Sequence, residues 1–203
     1  MGMIRRSRQS WVGCHVSRLC DVIDGRWENH DLKLIALEEA HKDTLQDMLD
    51  EWGADILQAH GDPSPRVLWK CSLADFDQYK KNLDEEADPV RGRAEAHTRF
   101  CMDMDRNRLV GAVQLRFPSP SISLEGCGHI GDGVRPTDRG KGYGTAMIGL
   151  ALEEYRKCGF SEVMMVCRAN NAASSKTIVR NGGVLMGMFE EDAKLMRRYR
   201  IKL

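Results

Sequence analysis

Residues 134–145, Val-Arg-Pro-Thr-Asp-Arg-Gly-Lys-Gly-Tyr-Gly-Thr, decide how the rest of the chain is interpreted. Every second residue from position 140 to position 144 is glycine, and Arg139 and Lys141 stand among these glycines. β-prone residues precede the stretch, and an amphipathic helical pattern follows it. Glycine lets backbone N–H groups turn outward, and the N-terminus of the following helix attracts anions. The stretch therefore predicts a phosphate-binding turn between a strand and a helix.

Two common phosphate-loop patterns do not match this turn. The loop of nucleoside triphosphatases requires Ser or Thr directly after its Gly-Lys pair, and here a glycine follows Lys141. The dinucleotide fingerprint requires its third glycine where Thr145 or Met147 stands. The pattern that fits is R-x-x-G-x-G from Arg139 to Gly144, which resembles the acyl-coenzyme A loop of the GNAT superfamily of N-acetyltransferases.

The resemblance to this superfamily extends beyond the loop. Residues 128–134 resemble its fourth strand, Val163–Cys167 its fifth strand, and Asn171–Gly183 the next helix and its exit. The Gly-His-Ile-Gly sequence from position 128 and the Asn-Gly-Gly sequence from position 181 are similar to one bacterial branch of predicted acetyltransferases. The match runs roughly from Leu32 to Leu203.

The resemblance implies an α/β fold of the α+β type. We expect a GNAT fold whose mixed central sheet has about seven strands, with splayed fourth and fifth strands and helices on both faces. Residues 31–203 form the predicted acetyltransferase domain, and residues 1–30 form an N-terminal extension. Disorder, a basic amphipathic helix and a targeting peptide are the interpretations of this extension, and we assign it no function.

Local patterns predict the remaining elements. A first strand is expected over Leu32–Leu37, and apolar residues at helical spacing predict a helix over His41–Trp52. Ser72 followed by Asp75 resembles a capping box that starts a second helix. Hairpins are predicted over 97–115 and 184–201, and the strand–helix–strand order around the glycine turn predicts parallel pairing of its two strands.

Composition restricts the classes of partner and compartment. Thirty basic and thirty acidic side chains cancel, so no overall charge favours a nucleic-acid partner. Seven cysteines without a Cys-x-x-Cys pair indicate reduced thiols and a cytoplasmic localisation. No apolar run approaches the roughly 20 residues that span a bilayer, so we expect no membrane association.

The resemblance implies acetyl-CoA as co-substrate and no metal. Main-chain N–H groups of the glycine turn are expected to bind the pyrophosphate, while the strand backbone near Val134 meets the pantetheine and the thioester. Arg139 and Lys141 could instead be a solvated basic pair, and Asn171 could simply cap its helix. The predicted cofactor-binding residues are Val134, Arg139, Gly140, Lys141, Gly142, Tyr143, Gly144, Thr145 and Asn171.

The predicted catalytic residues are His129, Asp132 and Ser174. His129 stands approximately where many members carry a glutamate that takes the amine proton, and Asp132 is the alternative base. Many members carry a tyrosine general acid seven residues after the asparagine, but here that position holds Ile178. Either Ser174, its neighbour Ser175 or water would then hydrogen-bond the leaving sulfur, or the thiolate leaves unaided.

Further residues have weaker functional interpretations. Trp52, Trp69, Asp55 and Asp62 are candidate contacts for the acceptor, with core packing and solvated loops as the alternatives. Cys127 and Cys167 flank the expected cleft and suggest an acyl-cysteine route, although buried structural thiols are the commoner case.

These features predict an N-acetyltransferase that moves acetyl from acetyl-CoA to a primary amine in a direct ternary complex. The acceptor would be a small-molecule or peptide amine, and a homodimer through the closing hairpin remains open. A non-catalytic CoA-binding sensor or interaction module on the same fold is the main alternative. A nucleotide-binding protein of another fold is a third.

Overall fold

The structure is a computed structural model that describes residues 17–23, 26–58, 63–86, 88–118 and 122–203. The first 16 residues of the predicted extension and the acceptor candidate Asp62 therefore lie outside the described residues. Within these ranges, no helix combines the length and the apolar character needed to cross a bilayer.

Eight described strands form two sheets whose ladders are antiparallel throughout. The five-stranded sheet has the order β1-β2-β3-β4-β5 and consists of β1 Ser17–Ile23, β2 Arg26–Ile35, β3 Glu95–Asp103, β4 Arg108–Phe117 and β5 Ile130–Val134. The three-stranded sheet has the order β6-β8-β7 and consists of β6 Glu162–Arg168, β7 Val184–Glu191 and β8 Lys194–Lys202. Four helices complete the fold: α1 Lys42–Leu57, α2 Phe76–Leu83, α3 Tyr143–Lys157 and α4 Ala172–Arg180.

Helices cover both faces of the five-stranded sheet, because successive residues of its strands point to opposite sides. On β3, Phe100 and Met102 belong to the core under α1 and α2, whereas Cys101 belongs to the core under α3. Burying side chains of this size stabilises a fold by about 1.5–3 kcal/mol each. The predicted fold class with helices on both faces is confirmed, although eight described strands replace the seven or so expected.

Several local predictions hold and two are wrong in detail. Both hairpins form, as β3–β4 and β7–β8. The first predicted strand starts earlier than Leu32, because β2 begins at Arg26 and pairs with β1 inside the predicted extension; the domain boundary at residue 31 stays a prediction. Asp75, not Ser72, caps α2: its Oδ1 accepts from the Gln78 N–H at 2.9 Å, while Ser72 Oγ accepts from the Ala74 N–H.

The predicted parallel pairing between the strands that flank the glycine turn is also wrong. β5 and β6 belong to different sheets, and the His129 N–H, which donates to the Met164 carbonyl at 2.7 Å, makes the one backbone hydrogen bond between 128–134 and β6 in the described residues. The strands touch at this point and are otherwise unpaired. They are therefore splayed, as the resemblance implied.

Candidate active site

The slot between β5 and β6 is lined by main-chain groups. At the two ends of β5, the His129 carbonyl accepts from the Arg116 N–H, and the Arg135 N–H donates to the Val110 carbonyl. The odd-numbered residues of this stretch therefore direct their peptide groups to β4. Because peptide groups alternate along a strand, Asp132 and Val134 direct theirs into the slot. The Val134 N–H donates no hydrogen bond to any residue that the structure describes.

β6 presents the same kind of edge from the other side. Met164 bonds His129 with its carbonyl, and Ala169 donates its N–H to Leu195 on β8, so the even-numbered residues of β6 face the slot. The N–H of Val166 has no hydrogen-bond partner within the described ranges. Two open strand edges thus oppose each other, and an extended ligand with amide groups could bond both of them.

His129 holds the closed end of the slot. Its ring Nδ1 accepts from the Met164 N–H at 3.1 Å, and the ring packs edge-on against Tyr155 and Phe160. An imidazole that accepts at Nδ1 carries its proton on Nε2, so neutral His129 has no lone pair left for the amine proton. Burial also lowers the pKa of His129. His129 therefore connects the two strands, and this geometry argues against our prediction that His129 is the general base.

The glycine turn has the open form that its sequence predicts. Gly140 and Gly142 adopt φ values of +78° and +89°, which disfavour residues with a Cβ, and Gly142 occupies the N-cap position of α3. The backbone N–H groups of Gly140, Lys141, Gly142, Gly144 and Thr145 donate no hydrogen bond to any part of the chain that the structure describes. Together with the α3 N-terminus they form a cradle for an anion.

The two basic side chains of the cradle are held by carboxylates. Arg139 Nη1 lies 2.8 Å from Asp55 Oδ2, and Arg139 Nε donates to the Val134 carbonyl at 3.2 Å. Lys141 Nζ donates to Asp138 Oδ1 at 3.2 Å. Both cations are thus positioned beside the free amides, and Asp55, a predicted acceptor contact, contacts Arg139.

A buried ion-pair network supports the cradle from below. The Asp138 side chain is fully buried and accepts from Arg106 at 2.9 Å, Arg108 at 3.2 Å and Lys141 at 3.2 Å. Burial alone would raise the pKa of Asp138, but these cations outweigh burial and lower it. Stability from this carboxylate is consequently present at neutral pH and lost as the pH falls through the lowered pKa.

Glu51 extends the network to α1. Its carboxylate accepts from Arg135 Nε at 2.6 Å and from the Thr137 N–H at 2.7 Å. These bonds fix the residues between β5 and the glycine turn. The cradle therefore stands on a rigid base, which suits a site whose N–H groups must be in place before the ligand arrives.

The Tyr143 side chain belongs to this base and not to the ligand side of the cradle. It is 3% exposed, and its hydroxyl donates to Asp103 Oδ2 at 2.6 Å and accepts from Arg106 Nη1 at 2.9 Å. Burial and the Asp103 carboxylate raise the pKa of Tyr143. The Tyr143 side chain is therefore engaged inside the protein and does not face a ligand in the cradle.

The structure brings together the two other predicted catalytic residues near the thiol of Cys167. Asp132 shares a strand face with Ile130, which belongs to the core under α3, and with Val134, which packs against that core. Burial raises the pKa of Cys167, a hydrogen bond with Ser174 opposes the rise, and the Asp132 charge adds to it. Asp132 and Ser174 therefore flank the slot on the side of the cradle.

Asn171 caps α4, as the simpler interpretation predicted. Its Oδ1 accepts from the Ser174 N–H at 3.0 Å. One turn later, Ile178 is fully buried and offers no donor to the slot. The neighbouring Ser175 hydroxyl lies 2.5 Å from the Tyr199 hydroxyl.

The two tryptophans pack against each other rather than line an open acceptor site. Trp52 is 1% exposed and contacts Trp69 edge-on, with 6.3 Å between ring centroids. Trp69 Nε1 donates to the Pro63 carbonyl at 3.0 Å. Gly133 permits this packing, because a Cβ there would lie 2.1 Å from the Ser64 carbonyl oxygen and 2.4 Å from the Trp52 ring.

The buried network is the part of the site that sequence reasoning missed. Glu51, Asp103 and Asp138 come from three separate elements, and no local pattern links them. The available signal is the cluster of charged residues in 103–108, at the tip of the predicted hairpin over 97–115.

Comparisons with known proteins agree with this geometry. The Acetyltransferase (GNAT) family matches residues 46–182, whereas none of the curated proteins matches the chain. RimL, a ribosomal L7/L12 alpha-N-protein acetyltransferase, has a TM-score of 0.58 at 18% identity, with 85% of this chain and 90% of that chain covered. MccE, the Microcin C7 self immunity acetyltransferase solved with acetyl-CoA and AMP, has a TM-score of 0.61 at 16% identity and coverages of 85% and 92%.

A GNAT-family acetyltransferase from Bacillus anthracis has a TM-score of 0.59 at 13% identity, covering 94% of this chain and 98% of that chain. At such identities the structural likeness concerns the fold. The family match, however, runs from α1 through the end of α4 and includes the splayed strands and the cradle. Because it spans more than half of the sequence, the chain belongs to the GNAT family of acetyltransferases.

Proposed function

We propose that the protein is an N-acetyltransferase that transfers acetyl from acetyl-CoA to a primary amine in a direct ternary complex. The observation that carries the proposal is a set of main-chain N–H groups without a hydrogen-bond partner in the described residues, namely Val134 in the slot and Gly140, Lys141, Gly142, Gly144 and Thr145 in the cradle. The named activity of RimL on a protein amine and the acetyl-CoA bound to MccE support the choice of donor and acceptor.

The cradle amides would bind the pyrophosphate, and Arg139 and Lys141 would add charge once they turn from Asp55 and Asp138. The open strand edges would bond the pantetheine amides. The N–H of Val134 would donate to the thioester oxygen as negative charge develops on it. The main-chain groups among these are held in place by the strands and by the start of α3, which reduces reorganisation during the reaction.

The amine nitrogen would attack the thioester carbon and form a C–N bond. The C–S bond would then break, and coenzyme A would leave as the thiolate. With His129 bonded to β6, Asp132 is the candidate that accepts the amine proton. Because its side chain lies on the cradle side of the slot, the proton would pass through a water molecule. Ser174 would donate a hydrogen bond to the departing thiolate, since the position of the usual tyrosine holds buried Ile178. Solvent then supplies the proton that yields free coenzyme A.

An acyl-cysteine route has less support. Burial raises the pKa of Cys167, which disfavours the thiolate needed for attack. Cys127 is exposed on the loop before β5. Direct transfer requires neither thiol, and a Cys167→Ala variant that retains turnover would exclude the covalent route through this residue.

The alternative of a CoA-binding sensor rests on the absent tyrosine. One experiment distinguishes this sensor from an acetyltransferase. Coenzyme A binding is measured by calorimetry, and thiol release from acetyl-CoA is measured against a panel of peptide and small-molecule amines. The proposal predicts both binding and amine-dependent release. Tight binding with no release for any amine would favour the sensor, and binding of ATP without coenzyme A would favour a nucleotide-binding protein.

The Gly142→Val variant provides the matched loss-of-function test, because a β-branched residue strains a backbone at φ +89°. We expect binding to fall while the circular dichroism spectrum of the folded protein is retained. Retained affinity in a folded variant would show that the cradle is not the binding site.

A further inference from the structure

Three arginines share one face of the three-stranded sheet. Cys167 on β6 and Tyr199 on β8 belong to the core under α3 and α4. Because side chains alternate along a strand, Arg168, Arg198 and Arg200 lie on the opposite face, where Arg198 pairs across the ladder with Val166 and Arg200 with Met164. We call Arg168, Arg198 and Arg200 the arginine face.

This face lies on the side of the slot away from the cradle. Ile130 and Val134 of β5 share the α3 core with β6 and β8, so the opposite side of β5, where Gly131 and Gly133 lie, continues the arginine face across the slot. There a Cβ on Gly131 would lie 2.8 Å from Arg116 Nη2. The donor is expected from the side of the cradle, so an acceptor would reach the thioester from the side of the arginine face.

Two members of the arginine face, Arg198 and Arg200, carry positive charge that the described residues do not cancel with ion pairs. Arg198 Nε donates to the Glu125 carbonyl at 3.1 Å, and its guanidinium stacks on the Phe189 ring at 4.5 Å. Neither Arg198 nor Arg200 forms an ion pair with a carboxylate of the described chain. Among the described residues, the carboxylates on this side include exposed Glu125, exposed Glu162, which pairs across the ladder with Lys202, and Glu191, which reaches toward Gly126.

The spacing of these arginines selects a class of ligand. Alternate residues of one strand are about 7 Å apart, which matches alternate side chains of a second extended chain. Guanidinium groups bind carboxylates through paired hydrogen bonds. Val184 on β7 is exposed and pairs with Arg200 on β8, so it adds apolar surface beside the charge.

We propose that the acceptor is the N-terminal segment of an acidic peptide, which lies extended on the arginine face. Its carboxylates pair with Arg198 and Arg200, while its terminal amine enters the slot. This assignment rests on the proposed N-acetyltransferase function and specifies the substrate class of that same site.

The test compares two synthetic peptides with the same first residue, one with Asp and Glu at the next five positions and the other with Asn and Gln. Free aspartate and glutamate form a third arm. We expect kcat/KM to be about tenfold higher for the acidic peptide, as expected for one or two hydrogen bonds to charged groups. This preference should shrink as salt is raised, because screening weakens exposed charge pairs.

Arg198→Gln and Arg200→Gln should each lower kcat/KM for the acidic peptide about tenfold and leave the amide peptide within a factor of about two. Arg156→Gln, an exposed arginine on α3, is the matched control and should change neither. Calorimetry should show unchanged coenzyme A affinity in all three variants, which also reports folding. The salt dependence of the wild type keeps the test valid if Arg198→Gln fails to fold.

Equal rates for the two peptides, a loss in Arg156→Gln as large as in the other variants, or preference for the free amino acids would overturn this inference while leaving the transferase intact. Coenzyme A binding without acetylation of any amine would instead overturn the proposed function, and the inference with it.

Discussion

Replacing Tyr143 by Phe tests whether this side chain supports the cradle or binds the ligand. The substitution removes a hydroxyl that donates to Asp103 at 2.6 Å and accepts from Arg106 at 2.9 Å. The Asp103 side chain is fully buried, so water cannot replace the lost donor. The variant keeps the ring and its volume, so the change isolates the hydroxyl.

The expected loss of unfolding free energy is about 2 kcal/mol, within the range for a hydrogen bond to a buried charge. For a chain of this length, that loss lowers Tm by about 4–8 °C. Tyr79→Phe is the control, because the Tyr79 hydroxyl donates at 3.1 Å to a neutral carbonyl, that of Leu68. Its loss should be smaller, about 1 kcal/mol.

Urea unfolding measures both losses, and calorimetry measures coenzyme A affinity well below the melting temperature. We expect the Tyr143→Phe variant to bind coenzyme A within about threefold of the wild type, less than 1 kcal/mol. An unchanged stability combined with a tenfold or larger loss of affinity would refute this reasoning, because the hydroxyl would then act on the ligand.

Three further predictions follow from individual contacts. His129→Asn keeps an acceptor for the Met164 N–H but has no group that titrates. Because burial lowers the pKa of His129 below 6.5, only the wild type should lose stability as the pH falls below that value. Acetyl transfer should persist in the variant. A tenfold loss of kcat in the variant would restore His129 as the base. Gly133→Ala should destabilise by about 1–3 kcal/mol through its contact with Trp52, whereas Gly149→Ala within α3 should stabilise by about 0.5–1 kcal/mol; similar urea midpoints would contradict the packing argument. Arg139→Gln should weaken coenzyme A binding about threefold in calorimetry, as for an exposed charge contact, and an unchanged affinity would assign Arg139 to structure alone.

The parts of the site that depend on local sequence could be predicted. Alternating glycines specify the backbone of the cradle, since positive φ at Gly140 and Gly142 follows from residue type and position. The splayed strands could also be predicted, but only through the resemblance of residues 128–134 and Val163–Cys167 to a known family. The strand–helix–strand order by itself predicted parallel pairing there, and that pairing does not form.

The parts that depend on tertiary contacts could not be predicted. Strict alternation cannot place the His129 ring, because Gly128 at φ +70° interrupts the strand just before it. The Tyr143 side chain turns inward because its hydroxyl forms hydrogen bonds with Asp103 and Arg106, which belong to a hairpin distant in sequence. Ion-pair networks of this kind leave no periodic trace in a sequence.

The most direct measurement is amide hydrogen exchange at residue resolution, with and without saturating coenzyme A. The N–H groups of Gly140, Lys141, Gly142, Gly144 and Thr145, and that of Val134 in the slot, should exchange rapidly in the free protein and become protected when the ligand binds. The N–H groups of α2, on the far face of the sheet, should not change. Protection confined to other segments, or none at all under saturating ligand, would contradict the assignment of cradle and slot as the coenzyme A site.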